Sequence, residues 1–530
     1  MKNVIIQYRH NPNAADHQKI HARGGALRRE WQAIHAAAYA VPAETVSSLA
    51  ADPEVAYVSP DREVKGSLDY SVETINATIA LQAGISGKGI GVAILDSGIT
   101  TVDDLDGVGK KAGSRVVYSE DFADHSPDAK DHYGHGTHVA GVVAGNGADS
   151  TGPKYTYTFH GVAPNVQIIN LRVLDKNGRG TDSGVIEAIH RAISLKSKYN
   201  IRVMNLSLGR RVFESYTQDP LCQAVEAAWN AGIVVVVAAG NNGRDDTLHT
   251  SGYGMINAPG NDPYVITVGA MKTMETPSRS DDLIASYSSK GPTLIDHVVK
   301  PDLVAPGNRI IALRAPHSLL GNAYGQNQVL HSAYMRPGDN HPSQDYFELS
   351  GTSMAAAMVS GASALLVEQQ PWLTPDQVKA RLMKTASKTF PATSLSIDPV
   401  TGTIYQSEYD IFTIGAGYLD VWAALHGEDA NGGSAKSPTA VFDPASATVS
   451  VVFDSAGIWG TDPNWSSSVV WGTGVFQHLS SVVWGDSVVW GDTTSLGFSV
   501  IWGTSVVWGD AITNTPESVS SVNVLVYGDQ

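Results

Sequence analysis

Residues 86–426 predict an α/β fold, a mostly parallel β-sheet with helices on both faces. A small α+β unit precedes it and a β-rich repeat region follows it. Three observations carry this reading. Short apolar runs alternate with helical stretches along the middle of the chain. Some runs, such as Ile233-Val234-Val235-Val236-Val237, are apolar at every position, as a strand covered on both faces requires. The chain has 530 residues, more than one core usually holds, so two or three domains are expected.

Residues 1–65 read as the small unit. Val4–Tyr8 is a strand and Asp16–Arg23 a short helix ending at Gly24-Gly25. Leu27–Val41 is mostly strand-like. Pro42–Ala50 is a helix with proline near its start, and Val55–Val58 is a strand. Residues 66–85 read as a linker. In 86–426 the expected strands are Gly91–Leu95, Arg115–Tyr118, Val166–Leu174, Arg202–Leu206, Ile233–Ala239 and Val265–Ala270. The expected helices include Ser183–Tyr199, Pro220–Trp229, Ser353–Gln369 and Pro375–Ser387. Parallel strands need right-handed crossovers, which place a site at their carboxyl ends. Residues 316–346 show no periodicity and read as a long surface loop bordering the cleft. Residues 427–437 are a polar, Gly-rich linker.

Residues 438–530 change character. The unit Ser-Val-Val-Trp-Gly-Asp/Thr recurs, as at Ser481–Asp486, Ser487–Asp492 and Ser505–Asp510, with Trp484 and Trp490 six apart. Each unit reads as a very short β segment and a Gly turn. Two accounts of its tryptophans stand: an exposed aromatic binding surface, or packing units of a β stack or of an arm lying on the preceding domain.

Composition narrows the function. The chain is 42% hydrophobic and 17% charged, the balance of a globular protein. Its formal net charge of −16 argues against nucleic acid and anionic membrane as partners. The one cysteine, Cys222, excludes an intrachain disulfide and reads as a buried, inert thiol. No apolar run reaches the length of a membrane span. The first eight residues turn polar too quickly for a signal peptide.

Four segments carry chemistry. In Leu349–Ala357 a Gly-Thr-Ser turn runs into a helix, so Ser353 sits at a helix N-terminus. Unpaired N–H groups and the helix dipole there favour negative charge. Read alone, Ser353 is plainly a cap; as a nucleophile it has half of an oxyanion hole built in. In Gly91–Gly98 the acidic Asp96 ends an apolar strand, either as a turn residue or as a buried carboxylate that orients a histidine. In Asp131–Gly141 three histidines recur every third residue, so a metal site is considered. The pattern lacks the carboxylate of His-Glu-x-x-His, and Gly134 and Gly136 leave the His135 backbone open to close approach, which suits a base that meets a substrate. In Val237–Gly243, Asn241 follows a buried strand, either as a turn residue or as an amide donor aimed into a cleft.

Together the segments read Asp96, His135, Asn241, Ser353, with Asp, His and Ser in the order of subtilisin. Asp96-Ser97-Gly98, His135-Gly136-Thr137-His138-Val139-Ala140-Gly141 and Gly351-Thr352-Ser353-Met354-Ala355 resemble the three active-site signatures of the subtilisin-like serine proteases. The resemblance spans residues 86–426 and implies a subtilisin-like fold and a serine endopeptidase. It gives Ser353 the role of nucleophile, His135 that of base and acid, and Asp96 that of orienter. Asn241 and the Ser353 N–H become oxyanion donors, and His138 a second, non-catalytic histidine. Ser207, Leu208 and Gly209 match the edge that pairs with extended substrate. Ala238, Ala239 and Gly240 match one wall of a narrow apolar specificity slot.

Residues 1–65 resemble the family's inhibitory propeptide, matching at Val41-Pro42, Leu49–Pro53 and Val55–Val58. The expectation is a zymogen that cuts itself between about Val64 and Ser71, with its own propeptide as inhibitor. Protein or peptide substrates, a monomer and an extracellular location are the other implied properties. No cofactor is expected for catalysis. A structural calcium ion is left open but unplaced, Asp103 and Asp104 lying near one family ligand position. Ala357 stands where the family usually has proline. Two other classes stay open. A surface-binding protein would act through its Trp repeats. An esterase would carry Gly-x-Ser-x-Gly ahead of its Asp and His, which Gly351–Ala355 does not match.

Overall fold

The computed structural model describes residues 2–60, 70–107, 113–247, 250–428, 432–443, 448–454, 457–458 and 518–529. It divides into two compact units, Met1–Leu68 and Asp69–Gln530. In the first, β1 (Lys2–Tyr8), α1 (Ala14–Ala22), β2 (Ala26–Trp31), β3 (Ala36–Val41), α2 (Val46–Ala50) and β4 (Val55–Pro60) follow one another. The strands form an antiparallel sheet in the order β2-β3-β1-β4. Period-two alternation turns Val4, Ile6 and Tyr8 inward, where they join Ile20, Tyr39, Val41 and Leu49 in the core. Asn13 and Asp16 start α1 with a reciprocal capping box.

The second unit begins inside the expected 66–85 linker. Residues there form α3 (Ser71–Thr74) and α4 (Ala77–Gln82), with Val72, Ile75, Ala77 and Ala80 buried. The Val421 N–H donates to Ile75 O at 2.8 Å and Asn76 Nδ2 to Asp420 at 3.0 Å. Helices of one turn carry too few residues for a periodic pattern, so their sequence looks like loop.

The main sheet uses β5 (Gly91–Asp96), β6 (Val116–Asp121), β7 (Gln167–Arg172), β8 (Ile201–Leu206), β9 (Val234–Ala238), β10 (Ile266–Lys272), β11 (Leu283–Ile284) and β12 (Leu303–Pro306). Between β6 and β7 lies α5 (His135–Ala144); α6 (Asp182–Tyr199) and α7 (Pro220–Asn230) bring the chain back to β8 and β9. Strand order is β11-β10-β9-β8-β5-β7-β6, with β12 also on β10, and every pairing is parallel except β10–β11. β5 to β10 fall on the six expected apolar runs, β11 and β12 were not expected, and β5, β9 and β10 are buried at every position. From β5 the chain runs to the edge at β6 and returns to β7, then crosses to β8, β9 and β10 on the other side of β5. The crevice at such a reversal lies outside the carboxyl ends of β5, β8 and β9.

Residues 310–349 overturn one expectation. After β13 (Ile310–Leu313), α8 (Leu319–Ala323), β14 (Gln328–Leu330), α9 (His331–Tyr334) and the start of β15 (Pro342–Leu349) take the place of the loop expected over 316–346. The three strands form a second antiparallel sheet, β13-β15-β14. Tyr334, Tyr346 and Phe347 are buried, and Tyr155 stacks on Tyr334 with centroids 5.9 Å apart. Phe159 meets Tyr346 at 4.8 Å. Aromatic packing between two segments distant in sequence organises this region, and no local periodicity reports it.

β15 delivers the chain to α10 (Thr352–Gln369), which is buried from Thr352 to Val367 on every side. Its small residues permit that depth: a Cβ on Gly361 would lie 2.5 Å from Val162 Cβ. Ala357 lies inside this unbroken helix. After α10 come α11 (Pro375–Thr385), the hairpin β16 (Thr393–Ile397) and β17 (Ile404–Glu408), α12 (Ile411–Ile414) and α13 (Val421–Leu425). A hairpin, β18 (Thr439–Asp443) and β19 (Thr448–Val452), opens the expected repeat region. The Trp repeats themselves lie outside the described residues. Residues 518–527 form a helix, α14 (Ser518–Tyr527), where β structure was expected. Its valines favour strands, but burying Val524, Leu525 and Val526 decides the conformation.

One buried ion cluster fastens α11 to the sheet. Asp302, just before β12, accepts from Lys300 Nζ at 2.7 Å and Ser437 Oγ at 2.5 Å, with Lys379 Nζ at 3.2 Å. All three charged side chains are fully buried. Burial drives the Lys379 pKa down to about 7 despite Asp302. Replacing Asp302 with Ala strands two buried lysines, and a loss of about 3–5 kcal/mol in urea unfolding is expected.

Candidate active site

Asp96 ends β5 and His135 begins α5, 39 residues apart in sequence. Two glycines bring them together. Gly98 has φ +102°, and a Cβ there would lie 2.6 Å from Ala129 O. A Cβ on Gly136 would lie 2.2 Å from Gly98 O and 3.1 Å from Asp96 Cβ. The openness expected around His135 therefore serves contact with the Asp96 turn rather than with a substrate. The result is a bond of 2.7 Å between His135 Nδ1 and Asp96 Oδ1, with both side chains nearly shut off from solvent. Ser97 N also donates to Asp96 Oδ1, at 2.7 Å.

Asp131 ties this junction and went unassigned in the sequence. Its Oδ1 accepts from Ser97 Oγ at 2.9 Å, Tyr133 N at 3.1 Å and Gly134 N at 2.6 Å. Its Oδ2 accepts from Thr137 N at 2.8 Å. Ser97 Oγ in turn accepts from Gly136 N at 2.9 Å. One buried carboxylate thus binds the first N–H groups of α5 and the strand end that carries Asp96. An Asp three residues before a buried helical glycine run is the only signal the sequence offers. Burial raises the Asp131 pKa, against the N–H groups of Thr137 and Gly134 that favour the anion. At His135 burial opposes the charged form. The Asp96 charge, the hydrogen bond to it and Asp131 outweigh burial and raise the pKa.

His138 faces away from this pair. Its Nε2 lies 3.0 Å from Ile310 O and 3.1 Å from Phe347 O, joining α5 to β13 and β15. Burial, then the neighbouring His135, lowers its pKa to about 3, so it stays a neutral donor.

On the other side, Ser353 is the second residue of α10, whose N-cap is Gly351 at φ +148° with no side-chain cap. Ser353 is therefore not a capping residue. Its Oγ donates to Ser207 O at 3.2 Å, and Ser207 Oγ donates to Ser353 O at 2.8 Å. Asn205 Nδ2 supports Ser207 Oγ at 2.9 Å, and Ser360 Oγ holds Asn205 Oδ1 at 2.8 Å. The Asn241 amide oxygen accepts from Thr352 N and Thr352 Oγ1, both at 3.0 Å. That fixes which way the amide points. Asn241 Nδ2 and the Ser353 N–H have no acceptor among the described residues, leaving two donors at one helix N-terminus.

The segment Ser207-Leu208-Gly209 leaves β8 and becomes solvent-exposed at Gly209 before Arg210 pairs with Ala258. Ala238, Ala239 and Gly240 are buried. Between the two segments lies Asn257. A Cβ on Gly209 would be 3.0 Å from Asn257 Cβ, and one on Gly240 2.9 Å from its Nδ2. The slot expected to be apolar thus has an amide against both walls, its Oδ1 taken by Asn242 Nδ2 at 3.0 Å. Asn257 follows the cleft strands at a distance in sequence that no motif marks.

Asp104 is held by protein donors. Its Oδ1 accepts from Asp149 N at 2.7 Å and its Oδ2 from Tyr346 OH at 3.0 Å, so protein donors occupy both oxygens. Asp103 is exposed, and among the described residues no group of three His, Cys, Asp or Glu is arranged to hold a metal. Cys222 is buried, with its Sγ 3.3 Å from Asn261 Oδ1, and burial raises its pKa, so the thiol is inert.

Comparison with known proteins agrees with the motifs. The profile of the subtilase family matches residues 87–404. Serine protease AprX of Bacillus subtilis is 37% identical over 374 residues, which cover 68% of this chain and 76% of that protein. Subtilisin E of Bacillus subtilis is 32% identical over 394 residues, covering 73% and 85%. An alkaline protease of Alkalihalobacillus alcalophilus is 30% identical, covering 68% and 76%.

Replacing Asp131 with Ala leaves Gly134 N, Thr137 N and Ser97 Oγ buried without their acceptor. Chemical denaturation is expected to register a loss of about 2–4 kcal/mol. An unchanged midpoint would mean that water takes the place of the carboxylate.

Proposed function

The chain belongs to the subtilase family and is a serine-type endopeptidase acting on protein substrates; we propose that it works through Asp96, His135 and Ser353 and is made as a self-processing zymogen. The observation that carries the triad is the 2.7 Å bond between His135 Nδ1 and Asp96 Oδ1. It holds the imidazole so that Nε2 is the basic nitrogen turned toward substrate.

In this reading Ser353 Oγ leaves Ser207 O, passes its proton to His135 Nε2 and attacks the peptide carbonyl. Asp96 stabilises the imidazolium that forms. The carbonyl oxygen, now negative, moves between Asn241 Nδ2 and the Ser353 N–H. His135 then protonates the leaving amine, and water repeats the sequence to release the acid. The backbone at half-buried Leu208 and exposed Gly209 pairs with extended substrate, and Ala238–Gly240 with Asn257 shape the slot for one side chain.

The compact first unit supports an inhibitor-type propeptide, since it forms its own sheet and core. The chain between the units is the place of the cut. Because Ser71 and Val72 are buried in the second unit, a cut ahead of Tyr70 leaves α3 whole. Action as a secreted monomer completes the proposal.

Three outcomes are expected. Ser353→Ala yields one uncut 530-residue chain and a kcat lower by about 10⁶, the scale subtilisin sets. Maturation of that variant in isolation, followed by mass spectrometry, would refute self-processing. Asn241→Leu lowers kcat by about 10²–10³ with little change in KM. The pH profile of kcat/KM has its acid limb above the ordinary imidazole value of about 6.5, because the raised His135 pKa keeps the base protonated to higher pH. Residual activity of Asp96→Asn should show that limb moved downward.

A further inference from the structure

Residues 524–529 are seated on the second unit by contacts to almost every group they carry. The Asp529 side chain accepts from Ser286 N at 2.6 Å, from Ser286 Oγ at 2.8 Å and from Arg244. Asp529 is buried to 1% exposure. Its backbone is read as well: Asp529 N donates to Asn308 Oδ1 at 2.8 Å and Asn308 Nδ2 donates to Asp529 O at 3.2 Å. Arg244 NH2 also reaches Gly528 O at 3.2 Å. Upstream, Ser350 N donates to Leu525 O at 2.8 Å and Asn327 Nδ2 to Val526 O at 2.6 Å.

These contacts select a short motif. Gly528 has φ +61°, and a Cβ there would stand 2.4 Å from Ser350 Oγ and 2.5 Å from Asn308 Oδ1, so only glycine fits. Ser286 is buried and Arg244 is 13% exposed, also pairing with Asp398 at 3.3 Å; their donors to the next position favour a carboxylate there. Val524, Leu525 and Val526 are buried, whereas Tyr527 is 40% exposed, so the ring before the glycine is free to be larger. The selected pattern is two apolar residues, an aromatic, Gly and Asp. The repeats carry it three times, as Val-Val-Trp-Gly-Asp ending at Asp486, Asp492 and Asp510.

We propose that Arg244, Ser286, Asn308 and Ser350 form a recognition site for an aromatic-Gly-Asp peptide, occupied here by Tyr527-Gly528-Asp529, and that the Trp-Gly-Asp repeats are further ligands of that site. The repeats are then tethered docking motifs for the chain's own catalytic unit, which compete for one pocket. The clasp is close to the chemistry, because Ser350 lies three residues before Ser353 and Arg244 three after Asn241. A covalent tether gives each copy a high effective concentration, so exchange occurs within one chain.

The test uses the full chain with Ser353→Ala, so that no peptide is cut. Asp486, Asp492, Asp510 and Asp529 are changed together to Asn, which removes the carboxylates without truncation. A fluorescent Ser-Val-Val-Trp-Gly-Asp-Ser peptide is expected to bind this chain saturably and to be displaced by Val-Leu-Val-Tyr-Gly-Asp-Gln. The peptide with Asn for Asp binds about tenfold to a hundredfold more weakly, the worth of charge-assisted hydrogen bonds. Equal affinity for the two peptides, or no saturable binding to a chain with parental near-ultraviolet circular dichroism, overturns the proposal. A second measurement does not depend on the fourfold variant. With only Ser353→Ala, millimolar Trp-Gly-Asp peptide should displace residues 524–529 and speed their amide hydrogen exchange. Unchanged exchange at that concentration overturns the competition.

Discussion

The candidate active site depends on one close approach, that of the first turn of α5 to the turn that ends β5. There is no room between them for a methyl group at Gly136. The approach presses a helix N-terminus and a strand end together in the interior, where their N–H groups need acceptors. Asp131 supplies these and is itself held by the groups it satisfies. The His135–Asp96 bond is the visible outcome of a buried polar network in which both oxygens of the central carboxylate, Asp131, are paired. Such a network is rigid, because each missing partner would cost a desolvated group.

The serine half is built by different means. Its scaffold is a ladder of small polar residues, Asn205, Ser207 and Ser360, between the end of β8 and the face of α10. Thr352 and Asn241 form a second tie between β9 and the same helix. A helix buried along sixteen successive residues has little freedom to shift, so Ser353 and its N–H are fixed by packing rather than by a cap. The two halves meet because β5 lies between β7 and β8, where the winding of the sheet reverses.

Additions around this core are fastened to it by polar backbone contacts near the site. α8 sends the Leu319 and Leu320 N–H groups to His132 O and Tyr133 O, both at 2.9 Å, just before His135. β13 and β15 take the His138 imidazole. The segment 524–529 holds Ser350 and Arg244. Each attachment reaches the neighbourhood of a catalytic segment without entering the cleft chemistry. Asp104 is satisfied by Tyr346 and the Asp149 N–H, both neutral protein donors.

The amino-acid sequence by itself determined the parallel sheet and its long helices, and it singled out Asp96, His135, Asn241 and Ser353 as the candidate site. Continuous apolar runs, helical periodicity and Gly-flanked catalytic residues are local patterns, and local patterns survive in a linear string. It did not determine the 310–349 sheet, the α3–α4 start of the second unit, the role of Asp131 or the amide of Asn257 in the specificity slot. Those depend on partners dozens or hundreds of residues away: Tyr155 with Tyr334, Ile75 with Val421, Asp131 with Ser97, Asn257 with Gly209 and Gly240. The valines of α14 illustrate the reason. Their intrinsic preference is for a strand, and only burial beside β15 with a carboxylate pocket beyond makes them a helix ending in Gly528-Asp529. Tertiary structure decides such features because burial and hydrogen-bond satisfaction are properties of an assembled neighbourhood and outweigh local propensity.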